Sequence, residues 1–503
     1  METSTASAQR ARYDVVVITD TRFSGGSSSS LVEEITAASH GGFRVGVVHL
    51  ESSRLGPSAM VHAGLRDAIE RGLADFLLPG EAVDASLAVV KHPTVFVDWA
   101  GGALPIRVDR AIVAVGQVPH DDAGTYYDCV GVDDAIAEAL GVRPRWWPVS
   151  NAVRSTLSGV DVADEEWSEI IDVARWRPSA GPALRSSGSD GSRRVPVIGR
   201  HSRPDRMKWP NEVEHLTAAY PTDGSVEVRV LGGAEPAVEL LGAAPESWTI
   251  LPFGAEDPKT FLADLDAFVY FHHPDMVEAF GRTVLEALAV GIPAVVAPHF
   301  ESTFGAACLY AEPDGAIDAI RSLLADPAAT ERHRAAADDV LGERFSHEAF
   351  RRRLTALVGR PAPIEIGPPD RVLPEWESIP AGQRAGLSIE LVAALGETTG
   401  EVAELIAHLD LHRRKLPGFV PIVVMTCSRP PAPLLFGIEA RVITNRRNHA
   451  DPLVSWEDYA LKRLRQIGAS YDVDEIVVSD ARHPDAWIAL QQRRRRRSNS
   501  ATR

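Results

Sequence analysis

Cysteine is nearly absent: Cys129, Cys308 and Cys427 are the only three in 503 residues. They are odd in number and far apart. Neither a disulfide framework nor a zinc-ligand spacing can be built from them, so a reducing, cytoplasmic location is expected. No apolar run approaches the roughly 20 residues of a membrane span. The N-terminal METSTASAQRARYD lacks the apolar stretch of a secretory signal. Basic charge is in deficit, with 52 Lys and Arg against 69 Asp and Glu, a net charge of -17. That balance argues against a nucleic-acid-binding face. The closing RRRRRSNSATR reads as a solvated, disordered tail over 493–503. A peripheral membrane contact and the oligomeric state are left open.

The chain is too long for one hydrophobic core, and two large domains with an extra piece are expected. DVVVIT (14–19) reads as a buried strand, followed by the Gly-rich DTRFSGGSSSS, a helical LVEEITAAS, a stop at Gly41-Gly42 and a second strand, RVGVVHL. Strand, loop, helix, strand is a βαβ unit and implies a parallel sheet. SLAVV (86–90), TVFV (94–97) and RAIVAV (110–115) are further strand candidates, and 1–177 is taken as one Rossmann-like α/β domain. Residues 178–194, rich in Ser and Gly, read as a linker or loop. A second Rossmann-like series over 195–362 uses VPVIG, VEVRVL, WTILPF, AFVYF and PAVVAP, and closes with the amphipathic helix FSHEAFRRRLTALVG. Residues 363–492 begin Pro-rich and then show FVPIVVMT, WEDYALKRLRQIG and DEIVVSD, a strand, helix and strand that suggest a small α/β extension.

The most informative stretch is YFHHPDMVEAFGRTVLEALAVGIPAVVAP (270–298). Glu278 sits in a loop before a helix, Phe280-Gly281 follow, and Glu286 lies about one turn inside. A helix N-terminus beside a glycine offers free N–H groups and a partial positive charge to a phosphate. Flanking carboxylates can hold the hydroxyls of a sugar and a ribose. A second reading is open, because Thr283-x-x-Glu286 also fits a capping box. Upstream, VIGRHSRPDRMKWP (197–210) places four basic residues after a strand. They are Arg200, Arg203, Arg206 and Lys208. Gly25-Gly26 let the backbone approach a ligand closely. His92 and His120 each follow a strand at its carboxyl end, where open α/β sheets bind ligands. His272-His273 read as loop residues, and the strings Asp264-Leu265-Asp266 and Asp472-Val473-Asp474 as turn residues, so no metal site is expected.

The 278–286 spacing and its surroundings resemble the E-x7-E signature of retaining GT-B glycosyltransferases, the group-one glycosyl transferases. The resemblance covers about residues 12–360, is strongest over 195–310 and does not reach the extension. It implies two Rossmann-like domains facing across a cleft, the first on the acceptor side and the second binding a nucleotide-diphosphate sugar. It gives Glu278 the donor sugar, Glu286 the ribose, and the peptide N–H groups of Phe280, Gly281, Arg282 and Thr283 the donor. Arg200 with Arg206 or Lys208 clamps the diphosphate, Gly25-Gly26 face the donor, and a histidine, His92 or His120, touches the sugar. The family usually has Pro-Ser where this chain has His272-His273-Pro274-Asp275. The implied activity is metal-independent, retaining transfer to an unknown acceptor, with the nucleotide sugar as co-substrate and no other cofactor. Alternatives are a nucleotide-sugar epimerase of the same architecture and a catalytically silent partner subunit.

Overall fold

The computed structural model describes residues 10–178 (except 24, 53, 56–61, 78–81, 100–101 and 122–123) and all of 195–361. Further on it describes 388–395, 419–426, 439–443, 454–471 and scattered neighbours up to 479. The expected linker from 179 on, the Pro-rich 363–387, the tail 493–503, Cys427, Asp472 and Asp474 lie outside the described residues. The chain divides into two compact units, one of Met1–Ile18, Ser29–Val45 and Ala82–Ala362, the other of Thr19–Ser28, Gly46–Glu81 and Pro363–Arg503.

The first sheet is built from β1 (Ala11–Thr19), β2 (Val45–His49), β3 (Asp75–Leu77), β4 (Val83–Val90), β5 (Ile106–Val115) and, after a small hairpin of β6 (His120–Asp121) and β7 (Gly124–Thr125), β8 (Arg145–Pro148). Its order is β3-β2-β1-β4-β5-β8, and β1, β4, β5 and β8 pair parallel. The central strands end in continuous buried runs of Val, Ile, Leu and Ala, as a parallel sheet covered on both faces requires. TVFV does not form a strand. Pro93–Phe96 is a buried 3-10 turn, because Pro93 has no N–H for a ladder and its fixed φ suits the first helical position. RWWP supplies the edge strand β8, which the pattern of the sequence did not announce.

The second sheet comprises β9 (Val197–His201), β10 (Glu227–Leu231), β11 (Trp248–Leu251), β12 (Ala267–Tyr270), β13 (Ala294–Val296) and β14 (Leu309–Tyr310). Its order is β11-β10-β9-β12-β13-β14, every pair parallel. Both sheets thus have the 3-2-1-4-5-6 order of a doubly wound Rossmann-like domain, with the topological switch between the first and fourth strands. The closing helix His347–Val358 packs on residues of the first domain. His347 pairs with Glu33 at 2.5 Å, Phe350 meets Trp167 edge-on at 5.5 Å, and Arg353 donates to the Ser168 carbonyl.

In the other unit β15 (Ser388–Ala394), β16 (Phe419–Met425), β17 (Glu439–Val442) and β18 (Glu475–Ser479) form a parallel sheet of order β17-β16-β15-β18. This repeats the 3-2-1-4 order of the other two sheets. The helix Trp456–Ser470 covers one face through Trp456, Ala460, Leu464 and Ile467, and Val402 and Ile406 pack with Val423 and Met425. The extension is therefore an α/β layer with its own core.

Candidate functional site

Beyond β12 the chain loops through 271–281 and enters the helix Arg282–Val290. Glu278 lies in that loop. Its Oε2 accepts hydrogen bonds from Lys208 Nζ and from the Tyr270 hydroxyl, each at 2.6 Å. Burial alone would push this carboxyl up, but the Lys208 ammonium and the two hydrogen bonds outweigh it and hold Glu278 below the ordinary carboxylate value. Tyr270 is pushed well up by its burial and by the carboxylate beside it. The result is an ionised acid and a neutral phenol, with Glu278 still 11% and Lys208 18% exposed.

Lys208 reaches Glu278 from the end of a short turn, Arg206–Lys208, which Asp205 caps by accepting from Met207 N. Arg206 is exposed and makes no ion pair among the described residues. Of the two candidates for the second cation, the structure brings Lys208 to the site.

Arg200 is fully buried. Nη1 donates to the Tyr220 hydroxyl and the Phe271 carbonyl, both at 3.1 Å, and Nη2 donates to Ser202 Oγ and the Lys208 carbonyl. The Trp209 ring lies 3.8 Å from its guanidinium carbon. The sequence reading set these N–H groups on a diphosphate; in the structure they join the end of β12 to the peptide of Lys208. Trp209 and Tyr220 look like ordinary loop and helix-end residues, so nothing in the sequence marked them as the walls of this cage.

Glu286 lies one turn into its helix. Oε1 accepts from Arg282 Nε at 3.1 Å, and Oε2 is 3.2 Å from His201 Nε2. Burial would raise this carboxyl too, but His201 and Arg282 bring it below its ordinary value. The N-cap is Gly281 and the first helical residue Arg282, so Thr283 is not the cap and Glu286 does not close a capping box with it. Gly281 has φ of +90°, and a Cβ there would stand 3.1 Å from the Phe300 ring. No side chain caps this helix, which leaves its first N–H groups and positive end available. Phe280 is an anchor, buried edge-on against Phe304 and Phe345.

The remaining candidates are placed as follows. Gly25 has φ of +80° and open space where a Cβ would stand, and Gly26 begins the helix Gly26–His40. His92 is buried at the end of β4, and His120 is exposed in the small hairpin. Neither joins the hydrogen-bonded group of Glu278, Lys208 and Tyr270. Asp264 ends a helix and pairs with Arg229, while Asp266 accepts from Val197 N. His273 Nδ1 accepts from Asp275 N, and His272 stands 3.1 Å from His299 through their Nε2 atoms. Burial pushes His272 down to about 4. Among the described residues no three His, Cys, Asp or Glu are grouped to hold a metal ion, and no helix is long and apolar enough to cross a membrane. Sequence reasoning missed Tyr270, His201 and His299. The first two sit at strand ends beside residues already singled out, and position alone was the available signal.

No family model matches the sequence, and no curated protein matches it. Solved structures resemble the chain path at low identity. One is Anabaena HepE in complex with UDP and glucose, 13% identical, covering 68% of this chain and 98% of its own, with a TM-score of 0.48. A glycosyltransferase from Rickettsia africae is 13% identical over 69% of this chain and 99% of its own, with a TM-score of 0.44. An apo OtsA structure is 12% identical over 71% of this chain and 100% of its own, with a TM-score of 0.43.

Proposed function

We propose that this chain is a glycosyltransferase of GT-B type that takes its sugar from a nucleotide-diphosphate donor and retains the anomeric configuration. The observation that supports it best is the pair of carboxylates, Glu278 and Glu286, held below their ordinary values on either side of the uncapped helix N-terminus at Gly281. A phosphate suits that terminus. Lys208, 2.6 Å from Glu278, is the cation on the diphosphate, where charge grows as the sugar–phosphate bond breaks. Arg200 serves by holding the Lys208 peptide. Glu278 receives the sugar and Glu286 the ribose. The acceptor hydroxyl attacks from the face the leaving group departs, and the diphosphate takes its proton. Lys208 and the helix terminus do the work of a divalent ion.

The test is a panel of UDP-, GDP- and ADP-sugars, with transfer or donor hydrolysis followed in excess chelator and the product anomer read by NMR. UDP-glucose leads the panel because Anabaena HepE holds UDP and glucose. One nucleotide class should turn over with retention in EDTA. Loss of turnover in EDTA with recovery in manganese would overturn the metal-independent mechanism, and turnover of none would overturn the function.

A further inference from the structure

Arg282 occupies the first position of its helix, where the helix dipole disfavours a cation. Helix stability therefore does not account for it. Its guanidinium reaches two ways. Nε donates to Glu286 Oε1 at 3.1 Å, while Nη1 donates to the Ile170 carbonyl at 2.7 Å and lies 3.4 Å from Glu169 Oε2. Arg282, Glu286 and Glu169 side chains are 10%, 13% and 15% exposed. Glu169 and Ile170 belong to the segment between the two sheets, which is itself fixed: Trp167 N donates to the Pro148 carbonyl and Ile171 N to the Phe345 carbonyl. Ser150 Oγ, just after β8, donates to the Ala279 carbonyl at 2.5 Å beside Glu278. Among the described residues, hydrogen bonds thus tie the stretch carrying both carboxylates to the first domain at Ala279 and at Arg282, and of these the Arg282 tie touches a candidate ligand group.

A carboxylate offers about four acceptor positions. Arg282 engages one of those of Glu286, on Oε1, and His201 Nε2 lies 3.2 Å from Oε2 without a hydrogen bond to it, so the others are left for a ligand. We propose that Arg282 is a positioning residue: anchored on Ile170 and Glu169, it fixes the orientation in which Glu286 presents its free acceptor positions to the ribose, so that nucleotide affinity depends on the first-domain segment at 169–170. This rests on the nucleotide role proposed for Glu286.

The test is a double-mutant cycle on the full chain, with dissociation constants for UDP, GDP and ADP measured by calorimetry and the tightest binder used throughout. E286Q should weaken binding about tenfold, the effect of losing one hydrogen bond to a charged group. R282Q should cost a similar factor. Because Arg282 acts through Glu286, R282Q/E286Q should bind no worse than E286Q alone. R282K, which keeps the charge but not the planar fork, should recover part of the R282Q loss. Wild-type affinity in R282Q, or losses that multiply in the double variant, would overturn the inference while leaving Glu286 at the nucleotide. Wild-type affinity in E286Q would overturn the site reading and this inference with it. Should R282Q fail to fold, the cycle runs with R282K, and a loss that persists in the E286Q background overturns the proposal.

Discussion

Each Rossmann-like domain carries one lysine–glutamate pair at 2.6 Å, Lys91 with Glu34 in the first and Lys208 with Glu278 in the second. Each pair joins the segment after the first strand of its sheet to the segment after the fourth, across the switch point where such sheets hold ligands. Their surroundings differ. Glu34 also accepts from Trp167 Nε1 at 3.2 Å and Ser30 Oγ at 3.4 Å, and the two side chains are only 8% and 5% exposed. The Lys208 pair is more open, at 18% and 11%, and stands beside an uncapped helix N-terminus. The same contact is shut into the core in one domain and left within reach of a ligand in the other. One scaffold used twice therefore does not imply one function used twice.

The sharpest way to break this comparison is to remove each lysine. Lys91→Met strands Glu34 in the interior and should cost roughly 3–5 kcal/mol of stability, as breaking a buried pair does. Denaturant titration checks it, and K91M/E34Q should recover part of the loss, because no stranded carboxylate remains and the amide oxygen can still accept from Trp167 Nε1. Lys208→Met should cost less stability than K91M but lower kcat about a hundredfold or more, the effect of losing one preorganised group at a developing charge. Near-wild-type turnover in K208M, or unchanged stability in K91M, would erase the distinction between the two pairs.

A smaller effect sharpens the second site alone. Gly281→Ala puts a side chain on a residue at φ of +90°, with its Cβ 3.1 Å from the Phe300 ring. The left-handed conformation alone should cost roughly 1–2 kcal/mol, read as a lower Tm. The turn that presents the first N–H groups of the helix should loosen with it, so nucleotide affinity should fall as well. A Tm loss with unchanged affinity would separate the turn from the ligand.

The fold was legible where strands are continuous apolar runs. β1, β9, β10 and β12 lie within a few residues of the expected stretches, because burial on both faces leaves few other residue types. It was not legible at Pro93–Phe96, where a buried turn has the apolar composition of a strand, or at the two-residue β14. In the candidate site the sequence marked Glu278, Glu286 and a basic cluster. It could not choose Lys208 over Arg206, because that depends on a turn bringing Nζ to Glu278. Nor could it see Arg200 enclosed by Trp209 and Tyr220, since burial of an arginine is set by residues distant in sequence.

A pH-dependent effect tests the tie between the domains. Burial pushes the Glu169 carboxyl up to about 7; Arg282 and Lys91 pull the other way, and Glu34 and Glu286 add to the push. An unfolded glutamate titrates near 4.3, so the native state holds this proton more tightly than the unfolded chain. The stability this contributes is complete below the unfolded value and is lost as pH rises through about 7. Glu169→Gln keeps the neutral shape at every pH. The stability of E169Q relative to wild type should therefore climb between about pH 4.3 and 7 and level off above that. Matched denaturation curves across the range read the difference directly. The opposite slope, with wild type gaining on E169Q as pH rises, would mean that the ion pair with Arg282 outweighs burial. Glu169 would then resemble Glu278, a carboxylate kept charged by its cationic partner against its burial.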